Sequence, residues 1–184
     1  MKEEKKNKFS ATVIAKIAML SAAASILLFI EFPLLPATPW LELNVSDVPS
    51  LIASFMFGPV AGVIVNCVKI GICLIIRGTS TAFVGDLSNL VSGSLYALVA
   101  GVIYLVKKDK TGAIISLIVS GAVFCLSMWV FNQFVLLPFY KMTESSVVIP
   151  ALWWTLLFNV IKVTLTGLIT FFIYKAISKL LNSF

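Results

Sequence analysis

Apolar residues run along this chain in long blocks, separated by short polar clusters. The blocks cover about residues 9–30, 48–57, 60–76, 82–106, 113–137 and 150–181. An apolar stretch of about 18 residues or more is long enough to cross a bilayer as a helix. The pattern predicts an all-α membrane protein, a six-transmembrane-helix bundle forming one domain over residues 1–184. A long extracellular loop joins the first and second helices, and residues 1–8 form a polar, Lys-rich cytoplasmic tail. That basic start, followed by Ser21-Ala22-Ala23-Ala24, has the outline of a signal peptide. The apolar run continues past it and further spans follow, which favours a first helix.

The breaks between blocks carry their own chemistry. Pro33, Pro36 and Pro39 forbid a continuous helix after Glu31. Apolar and polar side chains alternate from Trp40 to Val45, predicting a short extended piece in a loop that caps the outer end of the bundle. Ser46 or Asp47 can cap the second helix, with Pro49 in its first turn. Gly58-Pro59 ends that helix. The block at 48–57 is short for a full span, so it either crosses with help from loop residues or turns back as one re-entrant unit with the third. Charge decides between these. The lysines of the N-terminal tail, of Lys107-Lys108-Asp109-Lys110 and of Lys175 and Lys179 should all be cytoplasmic. An even number of crossings must then lie between residues 9 and 106, which requires both pieces to span. Both termini are expected in the cytoplasm and the chain in the cell membrane.

Composition narrows the function. The chain is 60% hydrophobic and only 12% charged, against about 25% charged in a soluble domain. The net charge of +6 sits in lysine clusters that encode membrane orientation, so nucleic acid is not the expected partner. There is no histidine, which removes the commonest metal ligand and general base. Cys67, Cys73 and Cys125 lie in apolar segments without zinc or disulfide spacing. No nucleophile stands beside a base, no helix carries paired carboxylates, and no phosphate-binding Gly-x-x-x-x-Gly-Lys-Ser/Thr loop is present. No internal repeat suggests a self-contained alternating-access path. The expectation is a non-enzymatic binder, without a metal or cofactor, that takes energy from other subunits.

The candidate site comes from polar residues inside apolar spans. Asn159 and Lys162 are three residues apart and share one helix face. A lysine near the middle of a membrane helix costs about 2.5–3.5 kcal/mol on insertion scales, so a partner in the bundle or a ligand must hold it. By the predicted topology Asn132 in the fifth helix and Asp86 and Asn89 in the fourth lie in the same outer half. The loop with Trp40, Glu42, Asn44 and Asp47 lies above them. Phe134, Phe139, Trp129, Trp153, Trp154 and Phe158 are expected around this set. Apolar walls with a few placed polar groups suit a small, flat, partly polar molecule. On the first helix, Ala11, Ala15, Ala18, Ala22 and Ser25 recur at three- and four-residue steps. Such a smooth face serves either packing within the bundle or docking onto a separate membrane subunit.

Five segments in order carry a resemblance: Met19-Leu-Ser-Ala22, Leu43-Asn-Val-Ser-Asp47-Val-Pro49, Phe57-Gly-Pro-Val-Ala-Gly62 with Lys69, Gly85-Asp-Leu-Ser-Asn89, and Asn132 followed by Asn159-Val-Ile-Lys162. With them the chain resembles the riboflavin-binding S components of energy-coupling factor (ECF) transporters over nearly its whole length. Two positions depart: Asp86 stands where the family more often has Glu, and Ile70-Gly71 follow Lys69 where it often has Asn. The resemblance implies a six-helix S component that binds riboflavin from outside. The implied partners are a membrane coupling subunit, two ATP-binding subunits and membrane lipid. The substrate residues it implies are Leu43, Asn44, Asp47, Asp86, Asn89, Asn132, Asn159 and Lys162, and the docking residues are Ala18 and Ala22. The competing readings are an S component for thiamine, biotin or FMN, an intramembrane enzyme acting on lipid, and a structural subunit without a ligand.

Overall fold

The computed structural model describes residues 10–35, 41–79, 83–139, 141 and 145–182. Among these residues the bundle is built from α1 (Ala11–Phe29), α2 (Val48–Phe57), α3 (Pro59–Arg77), α4 (Val84–Val106), α5 (Lys110–Phe131) and α6 (Ser145–Asn182). Past Phe131, α5 continues through a π-helical segment, Asn132–Leu136, into a last turn, Leu137–Phe139. Two short strands, β1 (Phe32–Pro33) and β2 (Glu42–Leu43), pair antiparallel after α1, with Phe32 opposite Leu43 and Pro33 opposite Glu42. The alternation around Trp40 to Val45 thus ends in a strand. Trp40 itself, the 1–8 tail and the Lys179 side chain lie outside the described residues.

Local chemistry sets the ends. The Ser10 hydroxyl accepts the Val13 amide at the start of α1. The Asp109 carboxylate accepts the Gly112 amide at 2.6 Å and starts α5 at Lys110, a turn before its apolar block. α6 begins five residues before Pro150, which therefore sits inside the helix and removes one backbone bond.

Among the described residues five helices, with α5 taken through Phe139, are long and apolar enough to cross a membrane, and α2 is not. At ten residues α2 is about 15 Å long. Its brevity is matched by its position. It packs against α1, α3, α4 and α6, and every residue from Val48 to Phe55 is buried. A helix apolar on all sides belongs in a core. Small residues let the neighbours close in. A side chain at Gly62 would fall 1.9 Å from Ser54 Oγ, and one at Gly101 would fall 2.7 Å from Pro59 Cα. Ser54 Oγ donates to the Ala97 carbonyl at 2.7 Å, stitching α2 to α4. At the far end Phe55 packs on Tyr104 and Tyr174, with ring centroids 4.4 and 5.7 Å away.

α1 turns Ile17, Leu20, Ser21, Ala24, Ser25 and Leu28 inward. Ala11, Ala15, Ala18 and Ala22 are exposed, so the smooth row, apart from Ser25, does not pack within the bundle.

Candidate functional site

At the bundle end where α1 and α3 finish and α4 and α6 begin, a pocket opens among Glu31, Glu42, Asn44, Arg77, Asp86, Asn89, Asn132, Asn159 and Lys162. Its apolar lining is Leu41, Met128, Leu136 and Phe158. The β1–β2 ladder folds the first loop over this end, and Leu41 and Leu43 pack onto Phe158 of α6.

The polar groups divide into those answered by the protein and those that are not. Asn132 Nδ2 donates to the Met128 carbonyl at 2.7 Å, but its Oδ1 has no partner among the described residues. Neither Oδ1 nor Nδ2 of Asn159 has one, and Asp86 Oδ2 also stands alone. Asn132 and Asn159 are each only 1% exposed. A buried polar atom without a partner carries a desolvation cost of about 1–3 kcal/mol, so three such residues on one pocket demand an explanation.

Lys162 is held differently. Asp47, at the head of α2, lies 2.7 Å from Lys69 Nζ and 3.6 Å from Lys162 Nζ. Lys69 also donates to Ser46 Oγ at 3.2 Å. Lys69 takes the short contact, so the Lys162 ammonium keeps donors directed at the pocket it lines, with the Phe124 ring 5.6 Å away. The two ammonium groups face the buried Asp47 carboxylate and offset the cost of its burial. The loop carboxylate thus fastens α2 to α3 and α6.

Of the residues expected at the site, Asn44, Asp86, Asn89, Asn132, Asn159 and Lys162 line the pocket. Leu43 and Asp47 stand behind it, Leu43 in the apolar cluster with Phe158 and Asp47 between the two lysines. Asn44 Oδ1 accepts from Ser46 Oγ at 2.7 Å and from the Ser46 amide at 3.3 Å, so it also shapes the turn into α2. The aromatic wall is thinner than expected. Phe158 contributes, whereas Phe134, Phe139, Trp153 and Trp154 are exposed on the outside of the bundle. Glu42, expected in the capping loop above the site, also lines the pocket, and Glu31 and Arg77 join it from outside the expected set. Arg77 pairs with Glu31 across the ends of α3 and α1. Opposite charges closing two helices at one level were the available signal. Among the described residues no cluster of His, Cys, Asp and Glu could hold a metal.

The family profile for "ECF transporter, substrate-specific component" matches residues 12–178. The chain is 35% identical over 179 residues to the riboflavin transporter RibU of Staphylococcus aureus (strain TCH60), covering 90% of each chain. It is 30% identical over 125 residues to the riboflavin transporter FmnP of Bacillus subtilis (strain 168), covering 67% of this chain and 66% of that one. A solved S component of a bacterial ECF transporter superposes with a TM-score of 0.78 at 36% identity, covering 92% of this chain and 96% of the other. The chain belongs to the substrate-specific components of ECF transporters.

Proposed function

We propose that this chain is the riboflavin-binding S component of an ECF-type vitamin transporter and that the pocket beneath the first loop receives the vitamin. The observation that carries this is the unpaired Asn159 amide, beside Asn132 Oδ1 and Lys162, in an otherwise apolar wall. A flavin pyrimidine edge alternates donors and acceptors, which an amide presenting both functions can match. The dimethylbenzene end suits Met128, Leu136 and Phe158. Asp86 and Asn89 are placed to accept or donate to ribityl hydroxyls. Two curated relatives named as riboflavin transporters support the same ligand.

The remaining roles follow from the same reading. The pocket faces outward and the lysine loops face the cytoplasm, with both termini inside. α2 completes a sixth crossing together with the buried residues Leu41, Leu43, Asn44, Ser46 and Asp47 that lead into it. Ala18 and Ala22, exposed on the smooth face of α1, dock the coupling subunit, and two ATP-binding subunits supply the energy. The chain itself performs no catalysis.

Purified protein titrated with riboflavin tests the ligand. Saturable quenching of flavin fluorescence at one vitamin per chain is expected, with thiamine and biotin unable to compete. An absence of flavin binding by well-folded protein would overturn the reading. Replacing Ala18 and Ala22 with Trp should leave that titration unchanged and abolish co-purification with the coupling subunit, because bulky side chains prevent close helix approach.

A further inference from the structure

A second concavity lies on the outside of the bundle, between α5 and α6, and plays no part in the pocket. It encloses about 590 Å³. Its walls include Ile114, Ile118, Leu168 and Phe172, and its floor includes Gly121 and Gly167, which contribute no side chain. Along α5 it runs from Ile114 to Cys125, eleven residues or about 16 Å. That is close to half of a hydrocarbon core about 30 Å thick. The groove therefore has the length of one acyl chain in one leaflet.

Its end toward the lysine loop is basic. Lys110 lies one turn before Ile114 on α5, and Lys175 lies one turn after Phe171 on α6, so each continues a groove-lining face. Both lysines are exposed. Asp109 is the nearest carboxylate in sequence. It caps α5 through the Gly112 amide and pairs with Lys107 at 3.6 Å. Among the described residues, Lys108, Lys110 and Lys175 form no ion pair. Lys110 is also the first residue of α5, where the helix dipole favours an anion and disfavours a cation.

We propose that the α5–α6 groove is a binding site for an anionic phospholipid, with one acyl chain along Gly121 and Gly167 and its phosphate between Lys110 and Lys175. Basic sites between transmembrane helices hold acidic headgroups in this way. Within lipid, tight packing against a concave, glycine-floored surface is what distinguishes a resident chain from bulk lipid. The leaflet is the cytoplasmic one under the orientation given above, but the site itself depends only on the groove and the lysines sharing one end.

Native mass spectrometry of the detergent-solubilised chain, incubated with equal amounts of palmitoyl-oleoyl phosphatidylglycerol and phosphatidylcholine, tests this. One retained phosphatidylglycerol per chain is expected. The double variant Lys110→Gln/Lys175→Gln should lower its retention about tenfold relative to phosphatidylcholine. Filling the groove with Ala122→Phe and Thr164→Phe should remove the adduct while inorganic phosphate, added alone, fails to bind either form. Circular dichroism and riboflavin titration of each variant confirm that the bundle is intact, and riboflavin binding should be unchanged throughout. Equal retention of both lipids, retention that survives groove filling, or a second copy of the chain in place of lipid would each overturn the proposal.

Discussion

Two asparagines, Asn66 and Asn159, are almost wholly buried at 0% and 1% exposure, yet only the first has its amide N–H groups answered. Asn66 on α3 donates through Nδ2 to the Leu90 and Asn89 carbonyls at 3.0 and 3.5 Å and to Ser94 Oγ at 3.1 Å, all on α4, while its Oδ1 has no partner among the described residues. Gly93 brings the α4 backbone against it, so that a side chain there would meet Asn66 Oδ1 at 2.9 Å. Asn159 on α6 is answered by nothing among the described residues and lines the pocket. The same residue type in the same kind of apolar span is a clasp in one place and, in the function proposed above, a receptor in the other. What separates them is whether the neighbouring helix comes close enough to accept the amide.

The ion triad belongs to both sides of this contrast, since Asp47 answers Lys69 behind the pocket and Lys162 on its wall. Asp47→Leu should have the largest effect. It leaves two buried ammonium groups without an anion, and breaking a buried pair costs about 3–5 kcal/mol. Thermal unfolding in detergent would read this, and an unshifted midpoint would show that the triad does not fasten α2. Next in size is the pocket. Asn159→Leu and Lys162→Met should each weaken riboflavin by about 1–3 kcal/mol, because a polar group of the ligand loses its partner. Without ligand Asn159→Leu should raise stability, whereas Lys162→Met removes one of the two partners of Asp47 and should lower it, by less than Asp47→Leu does. Asn66→Ala should invert the Asn159→Leu result. Losing its interhelical bonds at about 0.6 kcal/mol each lowers the midpoint slightly, while riboflavin affinity at a permissive temperature stays put. If Asn66→Ala changes affinity as much as Asn159→Leu, the distinction between clasp and receptor fails.

The smallest effect concerns the mouth of the pocket. Burial and the neighbouring Glu31 raise the Glu42 carboxyl above its ordinary value, against the pull of Arg77. The folded chain thus holds this proton more tightly than the unfolded one. Stability from this group is complete below the ordinary carboxylate range and is lost as pH rises through the raised value. Glu42→Gln should flatten the part of the profile of unfolding midpoint that lies above the ordinary carboxylate range. An identical slope in the variant would remove Glu42 from the account.

Much of this was legible before any coordinates. Gly58-Pro59 and the prolines after Glu31 place breaks that no packing could override, and the isolated amides and Lys162 mark α4, α5 and α6 as facing one space. Three features were hidden for physical reasons. An aromatic residue near a helix end stacks as well on lipid as in a core, so composition could not tell that Trp153 and Trp154 point outward. Lys69 was recognisable as unusual, but its pairing with Asp47 depends on two helices meeting far apart in sequence. Glu31 and Arg77 read as ordinary loop charges because their pairing needs α1 and α3 to end at the same height.

The π-helical segment at Asn132–Leu136 carries a last consequence. A π turn is an α-helix with one residue to spare, and Pro138, which has no N–H to donate, lies two residues beyond it. Adding that residue to a regular helix would turn everything after it by about 100°, and the π turn absorbs the addition instead. Leu136 keeps its place on the pocket wall while Asn132 keeps its bond to Met128. The surplus residue thus acts as a joint, allowing the amide and the apolar surface of one helix to be aimed at the same molecule independently.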